Sequence, residues 1–260
     1  MKIILFLLLV LGFSSARADE NEIIKKVNSN NAAIQSYVAD MDVVLRKRSL
    51  AFTAVGKSYY EKPKNYRLQT TNVRTNQLGS DIGSNNDIFW FWVKRLDPNT
   101  MHFSKHKDLM NTNLPDSLHP NIMMDTLGIS QINTKGTTVR TENGVIAIQE
   151  TTTSPRRQEI IKVTLVDPNR PSIIGFRLYS KSGKMFALCD IQSFFKTNNG
   201  AYFPQQSVTK WFTEQITIET TVRNPQINVK IDPKTFHMPQ YNGLRTIDIG
   251  KQKIDFREGQ

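Results

Sequence analysis

The sequence is almost without thiols: Cys189 is the one cysteine among 260 residues. A lone cysteine closes no intramolecular disulfide and builds no cysteine-rich zinc site. It lies in the strand-like run 184–190, Lys-Met-Phe-Ala-Leu-Cys-Asp, where a thiol behaves as a small buried hydrophobe. Glycine patterns that carry chemistry are missing as well. There is no Gly-x-Ser-x-Gly elbow of a serine hydrolase and no glycine loop of the Walker or dinucleotide type. His102, His106 and His119 come without the carboxylates that would complete a metal site, and His237 has no visible partner. The pairs Asp40/Asp42 and Asp116/Asp125 lie among ordinary polar positions. Neither catalysis nor a cofactor or metal is expected from such a set.

Long apolar runs are equally few. The longest, Ile3 to Leu11, falls well short of the roughly 20 residues that a membrane-spanning helix needs. With Lys2 before it and Ala16-Arg17-Ala18 after it, the run reads as a secretory leader cleaved after Ala18. Residues 19–260 contain nothing resembling a linker and are read as one domain. No cysteine follows the expected cut, so no lipid is attached there, and a soluble, exported monomer is expected. Acidic residues are also short, 23 against 34 Lys and Arg, for a formal net charge of +11. Such a balance suits an acidic partner or transient contact with an anionic membrane surface; export argues against nucleic acid. The basic turns Arg46-Lys47-Arg48 and Arg156-Arg157 are solvated tips or docking points for such a partner.

Periodicity supplies the elements. Ile23, Ile24, Val27, Ile34 and Val38 put one apolar side on a helix over Glu20 to Val38. From Ala39 the period becomes two, predicting a strand to Leu45, a hairpin partner from Phe52 to Tyr60 and a third strand from Tyr66 to Val73. The glycine- and asparagine-rich run Gln77 to Asn86 reads as a turn. A strand from Thr100 to Lys107 places its histidines on the polar face, and a short helix is predicted over Ser117 to Ile129. Beyond it a meander is marked by turns at Asn143-Gly144, Pro155-Arg156-Arg157, Asp167-Pro168-Asn169, Lys181-Ser182-Gly183 and Asn198-Asn199-Gly200. Its predicted inward rows are Ile161/Val163/Leu165, Ile174/Phe176/Leu178 and Ile216/Ile218/Val222. The fold class is α+β and mostly antiparallel β: an incomplete, half-open barrel of about ten strands, with helices covering its concave face.

The stretch Asp87 to Arg95, Asp-Ile-Phe-Trp-Phe-Trp-Val-Lys-Arg, is apolar on both faces and demands two covers. The candidate reading is that one row lines a hydrophobic pocket. Ile88, Trp90 and Trp92 form the bulkier, favoured row, with Phe89 and Phe91 opposite. Met101, Phe103 and Tyr59 complete the expected cavity, and Leu118, Ile122, Met123 and Leu127 its lid.

A helix ending Ile34-Gln35-Ser36-Tyr37 is followed by the strand from Ala39. Then come Gly56-Lys57-Ser58-Tyr59-Tyr60-Glu61-Lys62-Pro63 with Tyr66-Arg67-Leu68, and Ser80-Asp81-Ile82-Gly83 leading into Ile88-Phe89-Trp90-Phe91-Trp92. Phe236-His237-Met238-Pro239 closes the series. This order resembles the periplasmic outer-membrane lipoprotein carrier (LolA-like) family and the wider outer-membrane lipoprotein-sorting proteins. The resemblance implies a helix-covered open barrel whose cavity shelters the acyl chains of a lipoprotein, or a related lipid, between an inner-membrane release complex and an outer-membrane acceptor. It also implies that Lys62 stands where the family has a lid-holding arginine, without that residue's planar fork. Tyr59 replaces a family tryptophan and Glu61 a family lysine. The missing cysteine matches the family's soluble shuttle rather than its anchored receptor. The second reading is an envelope protein-interaction or stress-sensing module with the same fold.

Overall fold

The computed structural model describes residues 20–154, 158–198 and 200–252. The predicted leader, the turn Pro155-Arg156-Arg157 and Asn199 lie outside them. Helix α1 covers residues 20–33. Its carbonyl end comes before the predicted Val38 because Ser36 already begins β1 (Ser36–Lys47). The first meander continues with β2 (Leu50–Glu61), β3 (Asn65–Asn72), β4 (Gln77–Ser84), β5 (Ile88–Val93) and β6 (Thr100–Lys105). Two 3-10 turns, His106–Asn111 and Asp116–Leu118, lead to α2 (Pro120–Thr126). The second meander is β7 (Thr138–Glu142), β8 (Val145–Thr153), β9 (Glu159–Asp167), β10 (Ser172–Ser180), β11 (Met185–Lys196), β12 (Tyr202–Trp211) and β13 (Ile216–Ile227). After a 3-10 turn at Pro233–Phe236 comes β14 (Arg245–Asp248).

Among the described residues fourteen strands join one sheet in the order β14-β6-β5-β4-β3-β2-β1-β13-β12-β11-β10-β9-β8-β7. Every pairing is antiparallel except β14 with β6. The expectation of a mostly antiparallel, unclosed sheet holds, while its count of about ten strands gives way to fourteen. One added strand is β4, predicted as a turn. Its Gly and Asp have tertiary reasons to be there: a Cβ on Gly83 would stand 2.1 Å from the Trp90 indole, which lies on the bare backbone. Asp81 is fully buried and accepts hydrogen bonds from Arg67, Gln69, Tyr241 and Trp90.

Both helices pack on the same face. In α1, Ile24 and Val27 meet Ile146, Ile148, Val166 and Ile173 of β8 to β10. In α2, Ile122 meets Ile160, Phe176, Cys189 and Trp211 of β9 to β12, while Met123 meets Phe89 and Phe91 of β5. From β5 to β11 the order runs through seven strand spacings, about 34 Å if flat. A seven-residue helix is only about 10 Å long. The sheet therefore curls around α2. Cys189 is fully buried there, its thiol pushed up to about 12 by burial, which suits a packing role.

On β9 the inward row is Ile160, Lys162, Thr164 and Val166, one residue off the predicted row. On β10, Phe176 and Leu178 point inward as predicted, but Ile173 replaces Ile174 across the irregularity before Gly175. There Gly is required, since a Cβ would lie 2.0 Å from the Cys189 carbonyl oxygen.

Candidate functional site

The helix face of the sheet is covered by the segment from His106 to Ile132. Leu109, Leu114, Leu118 and Met123 pack on Ile82, Phe89, Phe91 and Ile249. Met123, Met124 and Leu127 lie over Met41, Tyr66 and Leu68, and Leu127 and Ile129 over Tyr37, Tyr60 and Phe203. The space a ligand would need beneath α2 is thus filled by this segment's side chains. Between it and β8 to β10 remains a recess of about 80 Å³, lined in part by Asp125, Ser130, Lys162 and Phe176. That is well below the roughly 300–1,000 Å³ of ligand pockets.

Polar contacts fix the segment at a few points. Lys162 Nζ donates to Asp125 Oδ2 of α2 at 2.6 Å, with Glu150 3.7 Å away. Ser117 donates to Glu214 in the β12–β13 turn. Downstream, Asn31 Nδ2 donates to the Ser130 carbonyl at 2.8 Å, and Asn28 exchanges two bonds with the Ile132 backbone at 2.7 and 2.9 Å. So the segment is tied to α1 behind α2 and latched to β9 at α2. His119, the residue before α2, is buried, and neither ring nitrogen has a hydrogen-bond partner among the described residues. Burial, and secondarily the charge of His106, pushes its pKa down to about 4. His102 also lies on this face, stacked on Phe91 with centroids 4.9 Å apart, and burial lowers its pKa. The predicted polar placement of His102 fails because that face of β6 is covered by the 106–118 segment.

No protein-family model and no curated protein matches this sequence. Solved structures do. A putative outer membrane lipoprotein-sorting protein domain from Vibrio parahaemolyticus superposes with a TM-score of 0.57 at 10% identity, over 83% of this chain and 94% of that one. A LolA superfamily protein from Nitrosomonas europaea gives 0.56 at 10% identity, over 84% and 97%. The fold is LolA-like. A DUF1329 family protein from Desulfovibrio piger shares it, with a TM-score of 0.56 at 11% identity over 85% and 96% of the two chains.

Within this LolA-like sheet the expected cavity residues divide between two faces. Phe89 and Phe91 lie under the segment as described. Ile88, Trp90, Trp92, Met101 and Phe103 form the opposite row, where the tail residues Met238, Tyr241 and Leu244 cover them. The favoured tryptophan row is therefore corrected: the tail supplies its cover, and the phenylalanine row faces α2. Tyr59 is likewise on the far face, opposite Arg67 in register, while its neighbour Tyr60 points to the helix face. Leu118, Ile122, Met123 and Leu127 all meet the helix face.

Lys62 holds the end of α1. Its Nζ donates to the Asn31 carbonyl at 2.7 Å and to that of Ala32 at 3.4 Å, at the carbonyl end of α1. A cation there satisfies orphan carbonyls and opposes the helix dipole. Lys62→Met should cost about 1 kcal/mol, measured as a lower urea midpoint, and should leave the α2 latch unchanged. Sequence reading also missed Tyr37, Tyr60 and Tyr66 on the helix face and the Lys162–Asp125 latch. The sequence carried no signal for the latch, since Lys162 alternates there with the apolar row Ile161, Val163 and Leu165.

Proposed function

We propose that this protein is a soluble periplasmic carrier, without enzymatic activity, that takes acyl chains of lipoproteins or a related lipid beneath α2 and delivers them toward the outer membrane. The LolA-like fold and the predicted leader support the reading; residues 19–260 act as one carrier domain. One observation carries it: the hollow of a curled sheet is occupied by a short helix bearing Met123 and Met124, attached to β9 through a single ion-paired latch. Methionines repack readily, so α2 works as an exchangeable plug. Cargo enters as the segment swings about its anchors at Asn28 and Asn31. Phe89, Phe91, Tyr60 and Leu68 then line the acyl chains, each buried CH₂ contributing about 0.8 kcal/mol.

A closed, latched form taxes binding by the fraction of time it is shut. Lys162→Met should therefore bind a fluorescent acyl probe about fivefold tighter than wild type, the latch being worth about 1 kcal/mol. Native mass spectrometry of protein from its own periplasm should show bound lipid or lipoprotein. If no lipid co-purifies and neither form binds the probe, the carrier reading is abandoned. The interaction-module reading, favoured by the filled hollow, would then stand.

A further inference from the structure

The two ends of the sheet differ in chemistry. Strand register places the turns 48–49, 73–76, 94–99, 181–184 and 212–215 at one end. Of the exposed large hydrophobics, Leu50, Val73, Leu96 and Phe212 stand in or beside these turns, and Val55 lies partway along β2. Met110 is on the segment after β6. The same turns carry exposed Arg48, Arg74, Lys94, Arg95 and Lys184. Their two acids are occupied: Asp97 lies 3.8 Å from Arg245, and Glu214 takes Ser117. The turns at the other end, 62–64, 85–87, 143–144, 168–171 and 197–201, mix Lys64 and Arg170 with Asp87 and present no exposed large hydrophobic among the described residues.

Four of these turns belong to neighbouring hairpins, β12–β13, β1–β2, β3–β4 and β5–β6, the last three of them basic. At two strand spacings each they form a row roughly 30 Å long. Cross-contacts make it continuous. Arg48 Nε donates to Gln215 at 3.0 Å, and the Arg95 guanidinium sits 3.7 Å from the Phe52 ring centroid. Leu50, Val73 and Leu96 each stand within two residues of an exposed arginine of their turn, and exposed Lys210 lies two residues before Phe212. A protein interface gathers its apolar side chains in one desolvated patch; separate insertions between charged heads suit a fluid bilayer boundary.

We infer that this row of hairpin turns docks the protein on an anionic lipid bilayer, its arginines and lysines on headgroup phosphates and Leu50, Val73, Leu96 and Phe212 in the headgroup boundary. The docking is independent of any cargo beneath α2. It is tested by co-sedimentation with vesicles of phosphatidylcholine alone and of phosphatidylcholine with phosphatidylglycerol. Wild type should partition at least tenfold better onto the anionic vesicles, and added salt should reduce this. Arg48→Gln/Arg74→Gln/Arg95→Gln should lose at least tenfold, and Leu50→Ser/Phe212→Ser several-fold, both with unchanged circular dichroism. The opposite-end control Lys64→Gln/Arg170→Gln should bind as wild type does. Equal binding to neutral and anionic vesicles, or full binding by the triple-charge variant, overturns the inference. So does soluble polyglutamate binding as tightly as the vesicles with no loss in the Leu50/Phe212 variant, which would assign the row to an acidic protein.

Discussion

Asp81→Ala is expected to lower folding stability by about 4 kcal/mol, read as a fall in urea midpoint at unchanged slope. Asp81 is fully buried, and both its oxygens are engaged. Arg67 donates to it from Nε at 3.1 Å and from Nη2 at 2.6 Å, and Tyr241 donates its hydroxyl at 2.5 Å. Removing the carboxylate leaves the Arg67 guanidinium, 11% exposed, donating from Nη1 to the Thr235 carbonyl at 2.9 Å. A buried charge stripped of its partner costs far more than a surface pair gains. Tyr241→Phe is the graded control: it removes one bond and should cost only about 1 kcal/mol. An Asp81→Ala loss no larger than that of Tyr241→Phe would mean the cluster is wet and does not join the tail to β3 and β4.

The second large effect is one of acidity. His119 is held neutral by burial, its pKa pushed down to about 4 from an ordinary 6.5. For a base with a depressed folded value, the unfolded chain takes up the proton first. Stability from this group is then complete above about pH 6.5 and is lost as the pH falls toward 4, by about 3 kcal/mol. Urea midpoints measured at intervals across that range should fall in wild type and fall distinctly less in His119→Leu, where buried His102 still contributes. Because His119 immediately precedes α2, local opening of the segment exposes the ring without unfolding the sheet. Hydrogen exchange in residues 116–127 should therefore accelerate in acid before exchange in β1 or β12 does. Parallel pH dependence in the two proteins would remove His119 from the account.

What the sequence shows and conceals follows from these contacts. Hairpins marked by Asn143-Gly144 and Lys181-Ser182-Gly183 were legible because turn chemistry is local. The need for two covers on β5 was legible too, since alternation makes both rows apolar. Which cover met which row was not, because a pattern with two greasy faces has no sign. The choice depends on Gly83 receiving the Trp90 indole and on Met238, Tyr241 and Leu244, which lie more than a hundred residues downstream. Adjacent tyrosines at 59 and 60 gave the same ambiguity. On β9 the register was misread because Lys162 occupies the inward face, acceptable there only because Asp125 waits on α2. β4 looked like a turn for a similar reason: its Gly and Asp serve partners that the local pattern does not contain.

The seam between β1 and β13 has a kinetic consequence. Each meander is built from neighbours in sequence, but the seam is closed at its edge by a bond between Gln35 and Asn228, 193 positions apart. Closing so long a loop costs entropy before any pairing rewards it. The two meanders should therefore gain structure first and zip together last. Refolding monitored separately at each half and across the seam should show the seam setting the slow rate, with the hollow coming into existence only at that final step.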